Sequence, residues 1–458
     1  MKIAFYTLGC KVNQYETEAL KEEFARAGYQ VTGEDDVADI YVINTCTVTN
    51  LADRKSRQYI RRMKRRSPEA VIAVTGCYAQ TKPEEVASVE GVDIVAGNGE
   101  KNELKRYIED FIDRREAQEK KDRDKLCMVT PCEELTEYRS SGIITSMESR
   151  TRAYIKIEEG CNRFCSYCMI PYARGPVRSR NPEEIIREAK TLIDKGFKEL
   201  ILTGINTALY GAERDGLNGC EPYVNGAAKS AQCSGIEPLI RDLSDIPGDF
   251  RIRLSSLEPT VINAEYVRGL LKYEKLCHHL HLSIQSGSDE VLGKMNRHYT
   301  VKEYMDIVNV LKDFDPLYGI TTDIIAGFPG ETEAAFGETL AAVDAAGFCR
   351  VHCFRYSKRS GTKAAEMTDQ IPGNVKNERL ERLAEKAGEA ASAFYEKCRG
   401  NTRQVLFEER TEEGLLTGYT DNYVRVYAGG GDELLGAFAD VRLLHEYRDG
   451  MKGETTHE

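Results

Sequence analysis

Three cysteines stand close together in the segment GCNRFCSYC, with the spacing C-x3-C-x2-C at Cys161, Cys165 and Cys168. Three thiolates on one short loop can hold three irons of a cubane 4Fe-4S cluster, and the fourth iron is then open to a substrate or cofactor. A structural zinc site usually takes four ligands in two C-x2-C pairs, and this loop has only one such pair. An iron–sulfur site is therefore predicted, with structural or zinc-binding cysteines as the alternative.

Three further cysteines, Cys10, Cys46 and Cys77, each follow a short apolar segment. The three segments are rich in β-branched residues and are predicted to be strands: Lys2–Leu8, Asp39–Asn44 and Val71–Thr75. In open α/β sheets, the loops at the carboxyl ends of parallel strands form the crevice in which ligands bind. The three thiols can therefore converge on a second cluster, and isolated buried cysteines are the alternative interpretation.

Helical patterns separate these strands, at Tyr15–Ala27 and Val48–Arg66. Strand–helix repeats of this length predict a parallel sheet that is covered by helices. The run Asp113–Lys125 is nearly all charged, and we interpret it as a helix end that leads into a solvated linker.

A second strand–helix series follows, with these strand candidates: Tyr154–Glu158, Glu199–Thr203, Arg251–Ser255, His279–Ile284, Thr321–Ala326 and Arg350–Phe354. Six units are fewer than the eight of a closed barrel, so a partial (βα)6 barrel is predicted. The periodic helix Asn377–Lys397 leads to segments with strand character and Gly-rich turns, which predict a small β-barrel. The fold class is therefore α/β, with domains expected at 1–112, 147–376 and 399–446, a charged linker at 113–146 and a connecting helix at 377–398.

Composition narrows the class of protein. The 458 residues include 63 Lys and Arg against 74 Asp and Glu, and the net charge of −11 excludes a histone-like polycation. No apolar run approaches the roughly 18 residues that a membrane span needs, and no signal peptide is recognised at the N-terminus. A cytoplasmic protein without membrane contact is expected, so its 14 cysteines should be thiols that serve metal or redox chemistry.

The cysteine loop and its position resemble the radical S-adenosylmethionine (SAM) superfamily, whose C-x3-C-x2-C signature follows the first strand of a partial barrel. The resemblance implies that SAM binds the open iron and that one electron cleaves it to methionine and a 5′-deoxyadenosyl radical. The segment GFPGE at 327–331 looks like the SAM-side loop of this superfamily, with an ordinary strand-to-helix turn as the alternative. The residues expected to contact SAM are Tyr167, Gly204, Ser283, Gln285, Gly327 and Gly330.

Five segments look like those of the methylthiotransferases: TLGCKVNQYET at 7–17, NTCTV at 44–48, TGCYA at 75–79, CMIPYARG at 168–175 and RSR at 178–180. The resemblance covers nearly the whole chain and implies a methylthiotransferase domain, a radical SAM domain and a TRAM-like barrel. It also implies that Cys10, Cys46 and Cys77 hold an auxiliary 4Fe-4S cluster, whereas the C-x3-C-x2-C loop holds the radical-generating cluster. Two SAM molecules would be used per turnover, one to methylate sulfur and one to remove the substrate hydrogen, so that C–H becomes C–SCH3.

The same resemblance implies an electron donor of the flavodoxin or ferredoxin type and a sulfur source. Beyond the cluster ligands, no catalytic residue is assigned. Eight cysteines also have no assigned role: Cys127, Cys132, Cys220, Cys233, Cys277, Cys349, Cys353 and Cys398.

A basic segment indicates RNA. Arg54–Arg66 (RKSRQYIRRMKRR) carries eight Lys and Arg and no acidic residue, and such a helix can follow a phosphate backbone. A solvated helix face is the alternative. The terminal barrel suits RNA docking. Its Tyr419, Tyr423 and Tyr427 are interpreted as residues that pack the barrel, with base stacking as the alternative. The residues expected to contact RNA are Arg54, Arg57, Arg61, Arg62, Arg65, Arg174, Arg178 and Arg180.

The motifs GCKVNQYET, PYARG and MNRHYT resemble those of the family branch that acts on N6-threonylcarbamoyladenosine at position 37, beside the tRNA anticodon. The isopentenyladenosine branch usually reads GCQMN and the ribosomal-protein aspartate branch reads GCPKN, and both remain alternatives. The sequence departs from the family pattern in two places. It has an insertion at 211–235, and it has Met169 where the family more often has isoleucine. A radical SAM enzyme of other chemistry and a non-catalytic iron–sulfur or zinc RNA-binding protein are the remaining interpretations.

Overall fold

The computed structural model describes residues 1–117, 125–140, 142–145, 151–213 and 236–456. Cys220, Cys233 and most of the expected insertion at 211–235 lie outside the described residues. The described cysteines are all free thiols. Within the same residues, the structure has no helix that combines the length and the apolar character needed to cross a membrane.

The N-terminal unit is a parallel six-stranded sheet with helices on both faces. Its strands are β1 (Lys2–Thr7), β2 (Gln30–Thr32), β3 (Ile40–Thr45), β4 (Val71–Gly76), β5 (Ile94–Ala96) and β6 (Leu126–Met128). Its helices are α1 (Lys11–Arg26), α2 (Asn50–Arg66), α3 (Cys77–Thr81), α4 (Pro83–Ala87) and α5 (Leu104–Ala117). The order β2-β1-β3-β4-β5-β6 confirms the predicted parallel sheet.

Strands β3 and β4 are buried along their whole length, because helices cover both faces of a parallel sheet. The sequence patterns missed β2, β5 and β6, which have three residues each and are too short to show a period. Strand β6 pairs with β5, so part of the segment expected to be a linker belongs to this sheet.

The middle unit is a curved parallel sheet that forms a partial barrel. Its strands are β7 (Arg152–Lys156), β8 (Glu158–Glu159), β9 (Arg178–Ser179), β10 (Glu199–Thr203), β11 (Arg251–Leu254), β12 (Ser256–Leu257), β13 (His279–Leu282), β14 (Gly319–Ala326) and β15 (Arg350–Arg355). Its helices are α6 (Ile170–Arg174), α7 (Pro182–Asp194), α8 (Ile236–Ser244), α9 (Ala264–Leu270), α10 (Asp289–Lys294), α11 (Val301–Phe314), α12 (Glu333–Ala346) and α13 (Lys363–Glu366). The orders β11-β10-β7 and β12-β13-β14-β15 join where the chain passes from β11 to β12, and the six expected strands are present.

Alternation along these strands separates an apolar outer face from a polar inner face. Residues such as Ile155, Leu202 and Leu254 belong to the core between the sheet and the outer helices. The intervening residues face the inside of the partial barrel, which we call the lumen. They include Arg152, Tyr154, Lys156, Glu199, Arg251, Arg253, His279, His281, Ser283, Thr321, Asp323, Arg350 and His352.

Helix α14 (Gly373–Cys398) leads to the C-terminal unit, which is a closed barrel in the order β16-β17-β18-β20-β19. Its strands are β16 (Thr402–Arg410), β17 (Leu416–Thr420), β18 (Arg425–Ala428), β19 (Phe438–Tyr447) and β20 (Gly450–Thr455). The predicted small barrel is therefore confirmed.

The turn between β17 and β18 covers the amino-terminal end of the lumen. Arg253 donates hydrogen bonds to the carbonyl oxygens of Thr420 and Asp421, at 3.1 and 3.0 Å. Tyr423 stacks on His279 with ring centroids 4.4 Å apart. The lumen is thus closed at this end, and we call its opposite end, at the carboxyl ends of the strands, the mouth.

A buried ion network joins the N-terminal sheet to the partial barrel. The Glu16 carboxylate accepts hydrogen bonds from Lys156 Nζ at 2.7 Å and from Arg174 Nη1 at 2.8 Å, and it also pairs with Lys101. Glu159 accepts from Lys156 and from Arg174, each at 2.7 Å. The four side chains other than Glu159 are each at most 5% exposed, so these ion pairs form out of contact with water.

This network corrects the expectation that three arginines contact RNA. Arg174 is 0% exposed and belongs to the network just described. Arg178 is buried and donates to the carbonyl oxygens of Leu135 and Arg174, both at 2.9 Å. Arg180 is buried and pairs with Glu188. Their guanidinium groups are held inside the protein, and we assign them to packing between the two units.

We expect Glu16→Gln to lower the free energy of unfolding by about 3–5 kcal/mol, because it leaves the buried Lys101 without its carboxylate partner and removes one of two partners from Lys156 and Arg174. Urea unfolding followed by circular dichroism measures this difference. The exposed Glu103, which pairs with Arg106 on the surface, offers a matched control. Glu103→Gln should change the free energy by no more than about 0.5 kcal/mol. Equal effects of the two variants would contradict a stabilising role for the buried network.

Candidate active site at the mouth of the barrel

The C-x3-C-x2-C loop begins at Gly160, directly after β8, and ends at helix α6. Gly160 has a φ of +85°, and a Cβ there would lie 1.9 Å from the carbonyl oxygen of Pro176, so this turn requires glycine. Asn296 Nδ2 donates to the carbonyl oxygens of Arg163 and Phe164, at 3.3 and 3.0 Å. The loop is therefore held from the segment 295–300, which carries the sequence MNRHYT.

The three thiols of this loop influence one another. Burial, the Glu258 charge and the neighbouring thiols of Cys165 and Cys168 raise the pKa of Cys161. Burial and the proximity of Cys165 raise the pKa of Cys168 to about 12. A bound metal reverses this preference, because its positive charge stabilises thiolates. Three neighbouring thiols on one loop that need a cation to ionise fit an iron–sulfur cluster.

The second cysteine set lies at the carboxyl ends of the adjacent strands β1, β3 and β4. Cys10 is the N-cap residue of α1, and Cys77 is the first residue of α3. Burial, followed by the proximity of Cys77 and then Cys10, raises the pKa of Cys46 to about 12. A Cβ placed on Gly9 would lie 3.1 Å from Cys46 Sγ, so the loop that carries Cys10 lies against Cys46. The structure brings the three expected thiols to one edge of the sheet.

Helix α6 separates the two cysteine sets. At its first residue, the Ile170 backbone N–H donates to Cys168 Sγ at 3.4 Å. Near its last turn, Asn98 Nδ2 donates to the Ala173 carbonyl oxygen at 2.7 Å and lies 3.8 Å from Cys77 Sγ. The helix has five residues, which corresponds to a rise of about 7.5 Å. Both cysteine sets therefore lie at the mouth, on either side of one short helix.

A buried charge cluster beside the cysteine loop was missed by sequence reasoning. Glu258 accepts from Arg163 Nε at 2.9 Å, from Arg297 Nη1 at 2.6 Å and from Asn206 Nδ2 at 3.0 Å. Its charge contributes to the raised pKa of Cys161. These residues come from four separate segments, so no local spacing could have identified them. Their place next to the cluster cysteines makes them candidates for orienting the loop.

Two of the six residues expected to contact SAM lie in the GFPGE loop, and the structure gives them internal neighbours. A Cβ on Gly327 would lie 2.4 Å from Lys376, and one on Gly330 would lie 2.1 Å from Asp369. The Gly330 N–H donates to the Asp369 carbonyl oxygen at 2.9 Å. Packing against the segment 369–376 is therefore enough to explain why positions 327 and 330 are glycines. Contact of this loop with SAM stays a prediction.

Tyr167 connects this loop with the cysteine loop. Its ring meets Phe328 edge to face, with centroids 6.3 Å apart. Gln285 has a φ of +66° at the carboxyl end of β13, a strained backbone state that is typical of functional positions. Ser283 Oγ donates to Asp323 Oδ2 at 3.1 Å, so its hydroxyl belongs to the lumen below.

The remaining expected residue, Gly204, lies against a buried carboxyl group. A Cβ there would lie 2.2 Å from Glu158 Oε1. Glu158 Oε1 accepts from the Asn206 backbone N–H at 2.6 Å, whereas Oε2 is buried and has no partner among the described residues. Burial raises the pKa of Glu158 to about 8. An orphaned carboxyl oxygen at the mouth fits a hydrogen-bond donor such as the amino group of SAM.

Below the mouth, the lumen is polar. His281 Nδ1 lies 2.9 Å from Thr321 Oγ1, and its Nε2 lies 3.0 Å from Ser283 Oγ and 3.2 Å from Asp323 Oδ2. Burial, followed by the charges of Arg253 and Arg152, lowers the pKa of Lys11 to about 8. A polar, partly cationic lumen suits a polar or anionic ligand better than an apolar one.

The basic helix α2 begins beside the mouth. Arg359, in the loop after β15, donates to Asp53 at 2.8 Å and to Asn50 at 2.6 Å at the start of α2. A Cβ on Gly361 of the same loop would lie 4.0 Å from Met169, next to the cysteine loop.

The five α2 arginines differ in their surroundings. Arg54, Arg61 and Arg65 are exposed and have no carboxylate partner among the described residues. Arg62 pairs with Asp35 at 2.5 Å on the surface. Arg57 is half-buried and donates to the Tyr78 hydroxyl at 2.6 Å and to Glu85 at 2.9 Å. The first three arginines are free to bind phosphate, whereas Arg57 is held by internal partners.

A three-cysteine loop after the first strand of a partial βα barrel defines the radical SAM class of enzymes. The model of the Radical SAM superfamily matches residues 155–343. The models of the uncharacterized protein family UPF0004 and of the TRAM domain match residues 2–97 and 396–448. A radical SAM enzyme requires SAM and a 4Fe-4S cluster, and the thiols of the C-x3-C-x2-C loop are those that would hold that cluster.

Two similar proteins extend over nearly the whole chain. The threonylcarbamoyladenosine tRNA methylthiotransferase MtaB of Bacillus subtilis is 42% identical over 457 residues, which cover 98% of this chain and 96% of that protein. The tRNA-2-methylthio-N(6)-dimethylallyladenosine synthase of Clostridium novyi is 34% identical over 457 residues, which cover 98% of this chain and 95% of that protein. The chain therefore belongs to the radical SAM methylthiotransferase family, as the resemblance of its motifs predicted.

A solved structure shows the same fold at low identity. TsrM, a radical SAM methyltransferase from Kitasatospora setae, is similar with a TM-score of 0.55 and 14% identity, covering 91% of this chain and 80% of that chain.

Proposed function

We propose that this enzyme converts N6-threonylcarbamoyladenosine at position 37 of tRNA to its 2-methylthio derivative. In the reaction, the C2–H bond of the adenine is replaced by C–SCH3, and two SAM molecules are consumed per turnover. One SAM supplies the methyl group, and the other supplies the radical that removes the hydrogen atom. An electron donor of the flavodoxin or ferredoxin type and a sulfur source complete the balance. Because the substrate is tRNA, we place the enzyme in the cytoplasm.

One observation carries the chemistry: two sets of three thiols lie at one mouth, separated by the five-residue helix α6. Methylthiolation needs a radical source and a sulfur carrier next to the same carbon atom. The C-x3-C-x2-C loop would hold the radical-generating 4Fe-4S cluster, and Cys10, Cys46 and Cys77 would hold an auxiliary 4Fe-4S cluster that carries sulfur. The buried cations Lys101 and Arg174 lie near Cys77, and they would help to stabilise an anionic cluster.

Two observations support the threonylcarbamoyl substrate over the alternatives. Four of the similar proteins bear the name threonylcarbamoyladenosine tRNA methylthiotransferase MtaB, at 34–42% identity. The lumen is lined by hydrogen-bonding and charged side chains, among them His281 and Asp323. An isopentenyl group is apolar and could form no hydrogen bond with this polar surface, so it would be the less favourable ligand. The basic face of α2 supports an RNA substrate over a ribosomal-protein aspartate.

The residues around the clusters would bind SAM and orient the cysteine loop. Asn296 and the Glu258 cluster fix the conformation of the cysteine loop. Glu158 would accept a hydrogen bond from the SAM amino group, beside Gly204. The turn between β17 and β18 closes the lumen and keeps water from its lower end.

The experiment that tests this function uses the anaerobically reconstituted enzyme with SAM, a reductant and tRNA from a strain that lacks the modification. Mass spectrometry of the digested nucleosides should show the 2-methylthio derivative of N6-threonylcarbamoyladenosine. Methylthiolation of isopentenyladenosine instead would assign the enzyme to the other tRNA branch. About eight iron and eight sulfide per chain are expected for two 4Fe-4S clusters. Zinc in place of iron would refute the proposal.

We expect the triple variant Arg54→Ala, Arg61→Ala, Arg65→Ala to bind tRNA more weakly and with a smaller dependence on salt. If each arginine contacts one phosphate, the slope of log affinity against log salt should fall in magnitude by about 2–3. Filter binding at several salt concentrations measures both quantities. A matched control removes three exposed lysines of the outer helices and loops: Lys190→Ala, Lys272→Ala, Lys302→Ala. An unchanged slope in the α2 variant would show that tRNA does not contact this helix.

A further inference from the structure

Three side chains in the lumen are grouped as the ligands of a metal ion usually are. His281, Asp323 and His352 each offer one ligand atom, and these three atoms all lie within 4.8 Å of one another. His281 Nε2 is 3.2 Å from Asp323 Oδ2. Two ligands that each lie about 2.1 Å from a tetrahedral zinc ion are about 3.4 Å apart, so this pair already has a suitable separation. Two imidazoles and one carboxylate are a ligand set that divalent transition metals accept.

The three side chains stand on adjacent strands of one sheet. His281 belongs to β13, Asp323 to β14 and His352 to β15, and Asp323 is paired directly with His352. His281 is paired with Thr321, which is on the same face of β14 as Asp323. The ring of His352 lies 5.9 Å from that of His281, centroid to centroid, and no hydrogen bond from the described residues holds it, so it can turn toward an ion. Paired strands therefore keep the group together before any ion binds.

Two hydroxyl groups orient the possible ligands. Thr321 Oγ1 lies 2.9 Å from His281 Nδ1 and is placed to accept its hydrogen, which leaves the lone pair of Nε2 for a metal ion. Ser283 Oγ donates to Asp323 Oδ2 at 3.1 Å. Histidines that bind metals usually donate their other ring N–H in this way, and carboxylate ligands are usually hydrogen-bonded as well. The supporting contacts of a metal site are therefore present around His281 and Asp323.

We propose that His281, Asp323 and His352 bind one divalent transition-metal ion of the zinc class in the lumen. Three protein ligands leave at least one position of a tetrahedral ion open, as in catalytic zinc sites. Arg350 and Lys11 add positive charge near His352, and Arg350 has a counter-charge of its own in Asp449 at 3.7 Å. The positive charge that remains favours an anionic oxygen ligand in the open position. The inference goes beyond the proposed function, which invokes no metal other than iron.

The test measures the zinc that the anaerobically reconstituted enzyme binds. Equilibrium dialysis against buffered free zinc, followed by elemental analysis, gives zinc and iron per chain and the dissociation constant for zinc. His281→Gln, Asp323→Asn and His352→Gln each remove one ligand with little change in volume. His445→Gln is the matched control, because this exposed histidine lies on β19 of the small barrel. X-ray absorption at the zinc edge identifies the ligand atoms, because zinc–sulfur bonds of about 2.3 Å differ from zinc–nitrogen bonds of about 2.0–2.1 Å.

We expect the wild-type enzyme and His445→Gln to bind about one zinc per chain while their iron content stays unchanged. Each of the three ligand variants should bind zinc at least about tenfold to a hundredfold more weakly, since the loss of even an outer partner costs that much. The zinc should have nitrogen and oxygen neighbours and no sulfur. An enzyme that binds no zinc, ligand variants that bind it as tightly as the wild type, or sulfur at about 2.3 Å would each overturn the inference.

These outcomes separate the inference from the proposed function. An enzyme that methylthiolates tRNA but binds no zinc keeps the function and loses the inference. A protein that binds zinc through these three residues but forms no methylthio product keeps the inference and loses the function. If Asp323→Asn does not fold or assemble its clusters, His352→Gln still decides, because His352 is exposed on the edge strand β15.

Discussion

We expect the Cys161→Ala protein to produce no 5′-deoxyadenosine from SAM. The C-x3-C-x2-C loop offers three thiols, and the remaining two cannot hold a cluster whose fourth iron must stay open. The side chains around Cys161 cannot replace it: Glu258 is already engaged with Arg163 and Arg297. The loss of activity should therefore be complete, and not a reduction by a small factor.

The measurement is 5′-deoxyadenosine formation by the reconstituted protein with dithionite and SAM, together with iron per chain. Cys127→Ala is a matched control, because this cysteine lies on the edge strand β6, away from the mouth. The control should keep full SAM cleavage and all of its iron. If Cys161→Ala cleaved SAM at an undiminished rate, the assignment of the radical-generating cluster to this loop would be refuted.

The second large effect is expected when the three cysteines proposed to hold the auxiliary cluster are removed. We expect Cys10→Ala, Cys46→Ala, Cys77→Ala to hold about four iron per chain, where the unmodified protein holds about eight. It should still cleave SAM, because the cysteine loop is built separately on β7 and α6. It should form no methylthio product, because the sulfur carrier is missing. Removal of three thiols from one sheet edge leaves the strands β1, β3 and β4 paired as before.

Nucleoside mass spectrometry and 5′-deoxyadenosine assays on the same preparation separate the two chemical steps. Methylthiolated RNA from the triple variant would show that these thiols do not carry the auxiliary cluster. Eight iron per chain in the variant would lead to the same conclusion. If the variant neither cleaved SAM nor formed the methylthio product, the two sites would be coupled across helix α6.

The strands and loops that carry the cysteines could be predicted because their sequence patterns are local. Strand β4 is an apolar segment rich in β-branched residues that ends directly before Cys77, and it pairs in parallel with β3 and β5. The six barrel strands were recognised for the same reason. The short strands β2, β5 and β6 could not be recognised, since three residues show no period.

The roles of charged residues could not be predicted, because burial depends on tertiary packing. Arg174 and Arg178 were expected to bind RNA from their place next to the cysteine loop. The fold instead puts them between the N-terminal sheet and the barrel, where Glu16 and Glu159 neutralise Arg174. Arg54 is exposed on the basic helix α2, and its contact with RNA stays a prediction.

The turn that closes the lower end of the lumen also fixes the small barrel to the partial barrel. Backbone atoms of Thr420 and Asp421 are held by Arg253, and a Cβ on Gly319 would lie 2.0 Å from the Asn422 carbonyl oxygen. The small barrel therefore cannot swing on helix α14 as an independent module. An RNA stem that rests on it is delivered to the mouth at one set distance. The enzyme would then choose its nucleotide by measured length along the RNA as well as by the chemistry of the base.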